Sequence, residues 1–552
     1  MVFIDTSSFL AISIALNFSL LVILLIVNFK DIRKQFREVK RKTWLLLILI
    51  FLLGLFLRFT VPHYHKMYRD EPWDMETGKN ILINGRAELC YYLDYDKLGC
   101  MTYKRSSGVP FIYALSFLIF GIDNYIAITT SAFFGALSSL LIFLLTFLFF
   151  KNENSALYSA FFLAILPLHI FWSASAQTNV ISIFFLLLTL ICFLIYFRVN
   201  TLRTLLLAIC SSVYTIQTRT EAIIILPIIA IMFFLFDKKL MQRIKKVKFW
   251  VPFLICLIFF ISWIFGVLEY NKLLKFNMLD IVLDVPNSLN SYGFDYFFRI
   301  ATGFYYPLII NIFGILYFPL FYITNKNNWS LFVFIMLSIV IFSIFCIWAM
   351  PLSSRFSLYF AMWLIPISSY SANFLIEKMK VMDHRKYVFS KLIFVILILF
   401  SFYPYISEVY SFIDEEKILE TKIPEIAERE LPKNCIIIAP ISEVLTATTD
   451  IKAIRAELIM ENPEILENLK KKTDCILFFE DQYCLTSKPK FVAPKENFDE
   501  NLSSYYRNLL RRKNSTTKQC KFIKENYELR PYARYASSAE NLTFEFYRLI
   551  NS

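Results

Sequence analysis

The chain has 552 residues, of which 57% are hydrophobic and 18% charged, and a formal net charge of +13. Soluble domains run nearer ~45–50% apolar and ~25% charged, so a soluble globular protein is excluded. Much of the positive charge sits in short segments between apolar runs, where Lys and Arg set membrane orientation, which argues against nucleic acid as a partner.

The first apolar run, Phe9 to Val27, has neither a basic leader nor a small-residue cleavage site, so it reads as a membrane anchor. Lys30 to Lys42 follows, with seven basic and two acidic residues; Asp237 to Lys248 has six and one, and Glu377 to Lys386 has four and two. The positive-inside rule puts all three in the cytoplasm. The second span, 43–61, then exits, which predicts that Asp70 and Glu71 are extracytoplasmic. Val109 to Phe120 is apolar but too short to cross, and reads as an interfacial segment within an outer loop over 62–124. Twelve spans are predicted, at 8–29, 43–61, 125–150, 155–173, 178–197, 203–218, 221–236, 249–268, 301–323, 329–350, 356–376 and 388–406, with both termini outside.

From Ser407 the chain turns polar. Ile418 to Leu431 reads as a helix, Cys435 to Ala439 and Cys475 to Phe479 as short buried strands, and Lys452 to Lys471 as helical between them. That order predicts a small extracytoplasmic α/β region with parallel pairing. The predicted fold class is therefore a mainly α, polytopic helical bundle. Its divisions are 1–42 (extra span and basic loop), 43–406 (transmembrane core) and 407–552 (α/β domain). Cys192, Cys210, Cys256 and Cys346 fall in spans as small hydrophobes. Six cysteines fall outside, where Cys90–Cys100 and Cys475–Cys484 are local disulfide candidates beside the alternative of reduced thiols. Asn501, Asn514 and Asn541 head N-x-S/T triplets.

The acid pair Asp70-Glu71 is the leading candidate for chemistry. A carboxylate partly desolvated at a membrane surface suits a general base toward a hydroxyl; the competing reading is a solvated acidic turn before a helix, with Asp74 and Glu76 complementing its dipole. Arg355, where one span ends and the next begins, and Arg219, between two spans, are cations near membrane depth that could grip phosphate oxygens. A local pair with Glu221 is the simpler reading of Arg219. Lys104, Arg105 and His169 are weaker candidates for the same donor site. A divalent metal joining His63 or His65 to Asp70 or Asp74 is conceivable, but interfacial packing explains those histidines better; no cofactor is singled out. Asp280, Asp284 and Asp295 could supply a second carboxylate.

These motifs, in this order, resemble the GT-C class of membrane glycosyltransferases, in particular the dolichyl-phosphate-mannose protein mannosyltransferase-like and aminoarabinose-transferase-like branch (glycosyltransferase family 39-like). The resemblance rests on Arg69-Asp70-Glu71, on Pro110 to Leu115 leading into Phe120-Gly121, on Leu166 to Ser173, and on Arg355-Phe356 opening a span that contains Pro366. It covers about Trp44 to Tyr403, with the first span an addition to an eleven-helix core. Two positions depart: the family often has Arg-Tyr where this chain has Arg355-Phe356, and an acid where it has Asn179. The resemblance implies transfer of a sugar from a polyprenyl-phosphate donor to an acceptor hydroxyl on protein, lipid or glycan, outside the cytoplasmic membrane. Asp70 would be the base, Glu71 its support, and Arg355, with Arg219, the grip on the lipid phosphate. A transporter or lipid flippase and a polysaccharide ligase are the alternatives. The near absence of charge within the spans disfavours transport.

Overall fold

The computed structural model describes residues 6–61, 70–89, 100–103, 106–274, 307–324, 329–349, 357–382, 384–411, 424, 426–440, 442–471, 473–480, 517–537 and 542–550. Helices dominate as far as residue 411. They are α1 (Thr6–Val27), α2 (Phe29–Gln35), α3 (Arg41–Thr60), α4 (Asp70–Asn84), α5 (Gly108–Phe120), α6 (Asn124–Phe150), α7 (Glu153–Ile165), α8 (Pro167–Ser173), α9 (Thr178–Val199) and α10 (Leu202–Thr218). A 3-10 turn, Thr220–Ile224, leads into α11 (Ile225–Phe236). Then come α12 (Leu240–Arg243), α13 (Val247–Leu274), α14 (Leu308–Thr324), α15 (Trp329–Ala349), α16 (Leu358–Met382) and α17 (His384–Ser411).

Among the described residues, helix occupies at least part of each of the twelve predicted spans. Among the described residues, five helical stretches are long and apolar enough to cross a membrane: Thr6–Val27, Arg41–Thr60, Asn124–Phe150, Thr178–Val199 and Val247–Phe265. Counting α7 and α8 together makes six. This is an integral membrane protein. The stretch expected as one span over 155–173 is instead broken, α7 and α8 meeting at 54°. The cause is Pro167, which cannot donate to the carbonyl four residues back and disfavours helical backbone at Leu166.

Local signals set the helix ends. The Asp123 carboxylate accepts from the Tyr125 N–H at 2.6 Å, and the Asn152 side chain accepts from the Ser155 N–H at 2.8 Å. Thr201 and Thr204 form a reciprocal cap at the start of α10. The bundle core is largely aromatic and aliphatic, with Phe143, Phe147, Phe162, Trp172 and Trp363 fully buried. α1 packs against α10 and α13 through a polar seam. Ser13 and Ser262 hydroxyls meet at 2.6 Å, Asn17 Nδ2 donates to Gln217 Oε1 at 2.7 Å, and Gln217 Nε2 donates to the Phe259 carbonyl at 3.1 Å. Polar glue of this kind holds helices together where lipid supplies no hydrophobic drive.

Beyond residue 424 lies a five-stranded sheet. Its strands are β3 (Ile436–Ala439), β4 (Lys452–Arg455), β5 (Ile476–Glu480), β6 (Leu529–Ser537) and β7 (Leu542–Leu549), in the order β4-β3-β5-β7-β6. β1 (Glu88–Leu89) and β2 (Met101–Thr102) form a separate antiparallel pair. The two strands expected to pair in parallel do so, Ile436 opposite Ile476. Alternation sends Ile437, Ala439, Leu477 and Phe479 into one core, and Ile436, Ile438, Ile476 and Phe478 into another under short helices. Two expectations are corrected, the Lys452 to Lys471 helix and the Cys475–Cys484 pairing. The segment from Lys452 opens as strand β4 and turns helical only at α19 (Ala456–Glu461) and α20 (Glu464–Lys470), after α18 (Ser442–Thr446). Of the helix expected over 418–431, residues 418–423 and 425 lie outside the described residues, and 424 and 426–430 are helical. Cys475 pairs not with Cys484 but with Cys435, across the parallel strands, Cα–Cα 4.6 Å. Cys100 and Cys520 are also disulfide-bonded, while Cys90 and Cys484 lie outside the described residues. Cys192, Cys210 and Cys256 are buried free thiols, as expected of cysteines within spans.

Candidate active site

Helix α4 begins at Asp70, so the acid pair forms the first turn of a helix rather than a turn before one. Pro72 is tolerated there because first-turn N–H groups need no helical acceptor. The helix stops at Gly85, whose φ of +66° lets its N–H close on the Ile81 carbonyl at 3.1 Å. Gly78 lets α4 press on α5: a Cβ there would stand 2.9 Å from the Pro110 carbonyl oxygen and 3.0 Å from Tyr113 Cβ. Every residue from Glu71 to Ile81 is buried.

The Glu71 side chain accepts the Ala176 N–H at 3.2 Å, in the turn between α8 and α9. Asp74 accepts the Tyr103 hydroxyl, and Trp73, Leu89 and Tyr103 pack together behind it. Nearby, burial holds the Tyr113 phenol well above its ordinary value, with the charges of Asp74 and Glu71 adding to the shift. Tyr113 therefore stays a neutral hydroxyl, paired with Ser131 at 3.0 Å.

Arg219 addresses the same turn from the other side. Its guanidinium donates to Thr178 Oγ1 at 2.6 Å and Asn179 Oδ1 at 2.9 Å, and pairs with Glu221 at 3.0 Å. The local pair with Glu221 is thus present, and much of the fork serves to pin the start of α9. Thr218 and Tyr359 hydroxyls both reach Ser182 Oγ, at 3.1 and 3.2 Å. Tyr359 stands in the first turn of α16, four residues after Arg355 in the chain.

His169 lies apart from these acids, fully buried against Arg58. Arg58 donates to the carbonyls of Gly54 (2.8 Å), Ala164 (2.9 Å) and Leu163 (3.1 Å), to Ser173 Oγ (3.2 Å), and to His169 Nδ1 (2.8 Å). This cluster anchors the α7–α8 break and so the turn that receives Glu71. Sequence reasoning singled out His169 but missed its partner; a lone Arg within an apolar run was the available signal. Thr178, Ser182 and Tyr359 carried none. Glu71 and Arg219 converge on residues 176–179. Lys104, Arg105, Arg355, His63 and His65 lie outside the described residues, as do Asp280, Asp284 and Asp295; of Asp70 only the backbone is described. Among the described residues no group of three or more His, Cys, Asp or Glu is placed to hold a metal ion.

The family described as dolichyl-phosphate-mannose-protein mannosyltransferase matches residues 104–265. Solved structures extend the likeness over nearly the whole chain. ArnT from Cupriavidus metallidurans, bound to undecaprenyl phosphate, aligns with TM-score 0.57 and 12% identity over 92% of this chain and 98% of that one. The chain has the GT-C fold of membrane glycosyltransferases. The oligosaccharyltransferase AglB from Archaeoglobus fulgidus, in complex with an inhibitory peptide and a dolichol-phosphate, aligns with TM-score 0.55 and 13% identity over 92% and 74% of the two chains. Another structure of the Archaeoglobus fulgidus oligosaccharyltransferase, in complex with Zn and sulfate, gives TM-score 0.54 and 14% identity over 91% and 72%. No curated protein matches in sequence. In this GT-C chain, the 104–265 match takes in α5 to α11 and most of α13, and with them the turn over residues 176–179 and Arg219.

Proposed function

We propose that the chain moves a sugar from a polyprenyl-phosphate donor to an acceptor hydroxyl at the extracytoplasmic membrane surface. The observation that carries this reading is the buried Glu71–Ala176 contact, which ties the acid-bearing turn of α4 to the turn that Arg219 grips, in a chain of GT-C fold. The lipids bound in the two similar structures, undecaprenyl phosphate for ArnT and dolichol-phosphate for AglB, support the donor class.

In this mechanism the Asp70 carboxylate takes the proton of the acceptor hydroxyl as its oxygen attacks the anomeric carbon. The bond from that carbon to the phosphate oxygen breaks, the configuration inverts, and polyprenyl phosphate leaves as an anion. Arg355 stabilises that anion; Arg219 holds the start of α9 against it. Glu71 orients the turn rather than accepting the proton, since its carboxylate already receives the Ala176 N–H. Twelve crossings with the α/β region outside complete the topology.

The test is sugar transfer from a radiolabelled polyprenyl-phosphate sugar in membranes carrying wild type, Asp70→Asn or Arg355→Ala. Transfer should fall by about 10²-fold or more in both variants at unchanged membrane level. Full transfer by Asp70→Asn excludes the mechanism, and translocation of lipid without transfer favours a flippase.

A further inference from the structure

The C-terminal α/β layer grips the same helix that carries the acids. Lys79 Nζ donates to the Thr446 carbonyl at 2.8 Å and to the Thr449 carbonyl at 2.6 Å, at and just beyond the end of α18. One turn earlier on α4, Glu76 accepts the Thr446 hydroxyl at 3.0 Å. The Arg455 guanidinium stands 5.9 Å from the centre of the Trp73 ring. Simple packing of two apolar surfaces needs none of this. A buried ammonium is costly unless directional acceptors compensate it, and here two carbonyls do so.

Lys79 and Glu71 are eight residues apart, about 12 Å along a helix. Between them α4 is buried throughout and pressed on α5 at Gly78. A close-packed helix of that length shifts as a unit rather than bending between its ends. We propose that Lys79 is a positioning residue, through which the C-terminal α/β layer sets the acid-bearing first turn of α4. The catalytic meaning of that turn rests on the glycosyl-transfer reading; the mechanical coupling does not.

The test is hydrogen exchange on the full-length protein in detergent, read at the Ala176 amide that Glu71 covers, together with donor kinetics. Lys79→Met should speed Ala176 exchange roughly tenfold and lower kcat roughly tenfold with donor KM unchanged, the scale of lost hydrogen bonds to a charged donor. Lys79→Arg, which keeps charged donors, should recover part of both. Faster exchange confined to residues 442–450, with Ala176 and kcat at wild-type values, overturns the proposal. If exchange rises throughout the bundle, Thr446→Val, which removes only the hydroxyl on Glu76, is judged by the same Ala176 criterion. If wild-type membranes transfer no sugar, the glycosyl-transfer reading falls alone, and Ala176 exchange still decides the coupling.

Discussion

The Arg58 guanidinium donates to the Leu163 carbonyl at 3.1 Å, which Pro167, four residues on, cannot serve and which the Leu166 N–H reaches at 3.4 Å. A side chain from α3 thus replaces a backbone hydrogen bond missing from a neighbouring span. The same guanidinium takes the Ala164 carbonyl at 2.9 Å, so two of the carbonyls exposed by the break are satisfied inside the bundle, where water cannot serve.

Arg58→Leu removes a donor from each carbonyl, leaving Leu163 only the longer 3.4 Å bond from the Leu166 N–H, at a total cost of about 1–3 kcal/mol. Thermal stability in detergent, followed by size-exclusion chromatography after heating, should fall clearly. Pro167→Ala restores an N–H within reach of Leu163, so the double variant should regain part of the loss. Strict additivity of the two substitutions would sink this account of the break.

Glu71 meets Ala176 through an acceptor oxygen, and glutamine retains one. Glu71→Gln should therefore keep much of the transfer activity, while Glu71→Ala falls about tenfold or more below it. Equal activities in a membrane assay would show that the Ala176 contact does not matter.

Lys79 gives a pH signature to the docking of the C-terminal layer. Burial holds its amine below the ordinary 10.5, with Glu76, Asp450 and Glu428 partly opposing. Between the folded value and 10.5 the undocked chain binds more protons than the docked one, so docking strengthens as pH rises through that window. Resistance of the C-terminal layer to limited proteolysis should climb as pH rises toward 10.5 more steeply in wild type than in Lys79→Met. Parallel pH profiles for the two proteins would contradict this.

Cys435 and Cys475 close a loop with a sequence separation of 40. Cross-links of this kind contribute typically ~2–4 kcal/mol. Cys475→Ser should make the β3–β5 region protease-sensitive at a lower temperature than wild type while the helical bundle keeps its melting behaviour. A matching drop in the bundle would mean that the two regions unfold together.

The helical segments were legible because a bilayer demands long apolar runs. The parallel pairing of the Cys435 and Cys475 strands was legible because short β-branched runs flank helical sequence. The Arg219–Glu221 pair was local enough to read directly. What escaped depended on distant neighbours. Arg58 meets Leu163 across 105 positions and Lys79 meets Thr446 across 367, and no periodicity encodes either. The disulfide was misassigned for the same reason: Cys484 is nearer in sequence, but strand pairing brings Cys435 beside Cys475. Lys452 to Arg455 was absorbed into a helix because four residues carry too little pattern to separate strand from helix.

The polar seam of α1 has a consequence for biosynthesis. Asn17 finds Gln217 only after 200 further residues have been made, and Ser13 finds Ser262 after 249. At ~5–20 residues per second, Asn17 waits on the order of 10–40 s with its amide unmatched. During that interval a polar amide in the first helix raises the cost of releasing it into lipid. Substituting Asn17 by leucine removes that part of the cost. A nascent chain so altered should leave the insertion site earlier, whatever it costs the finished bundle.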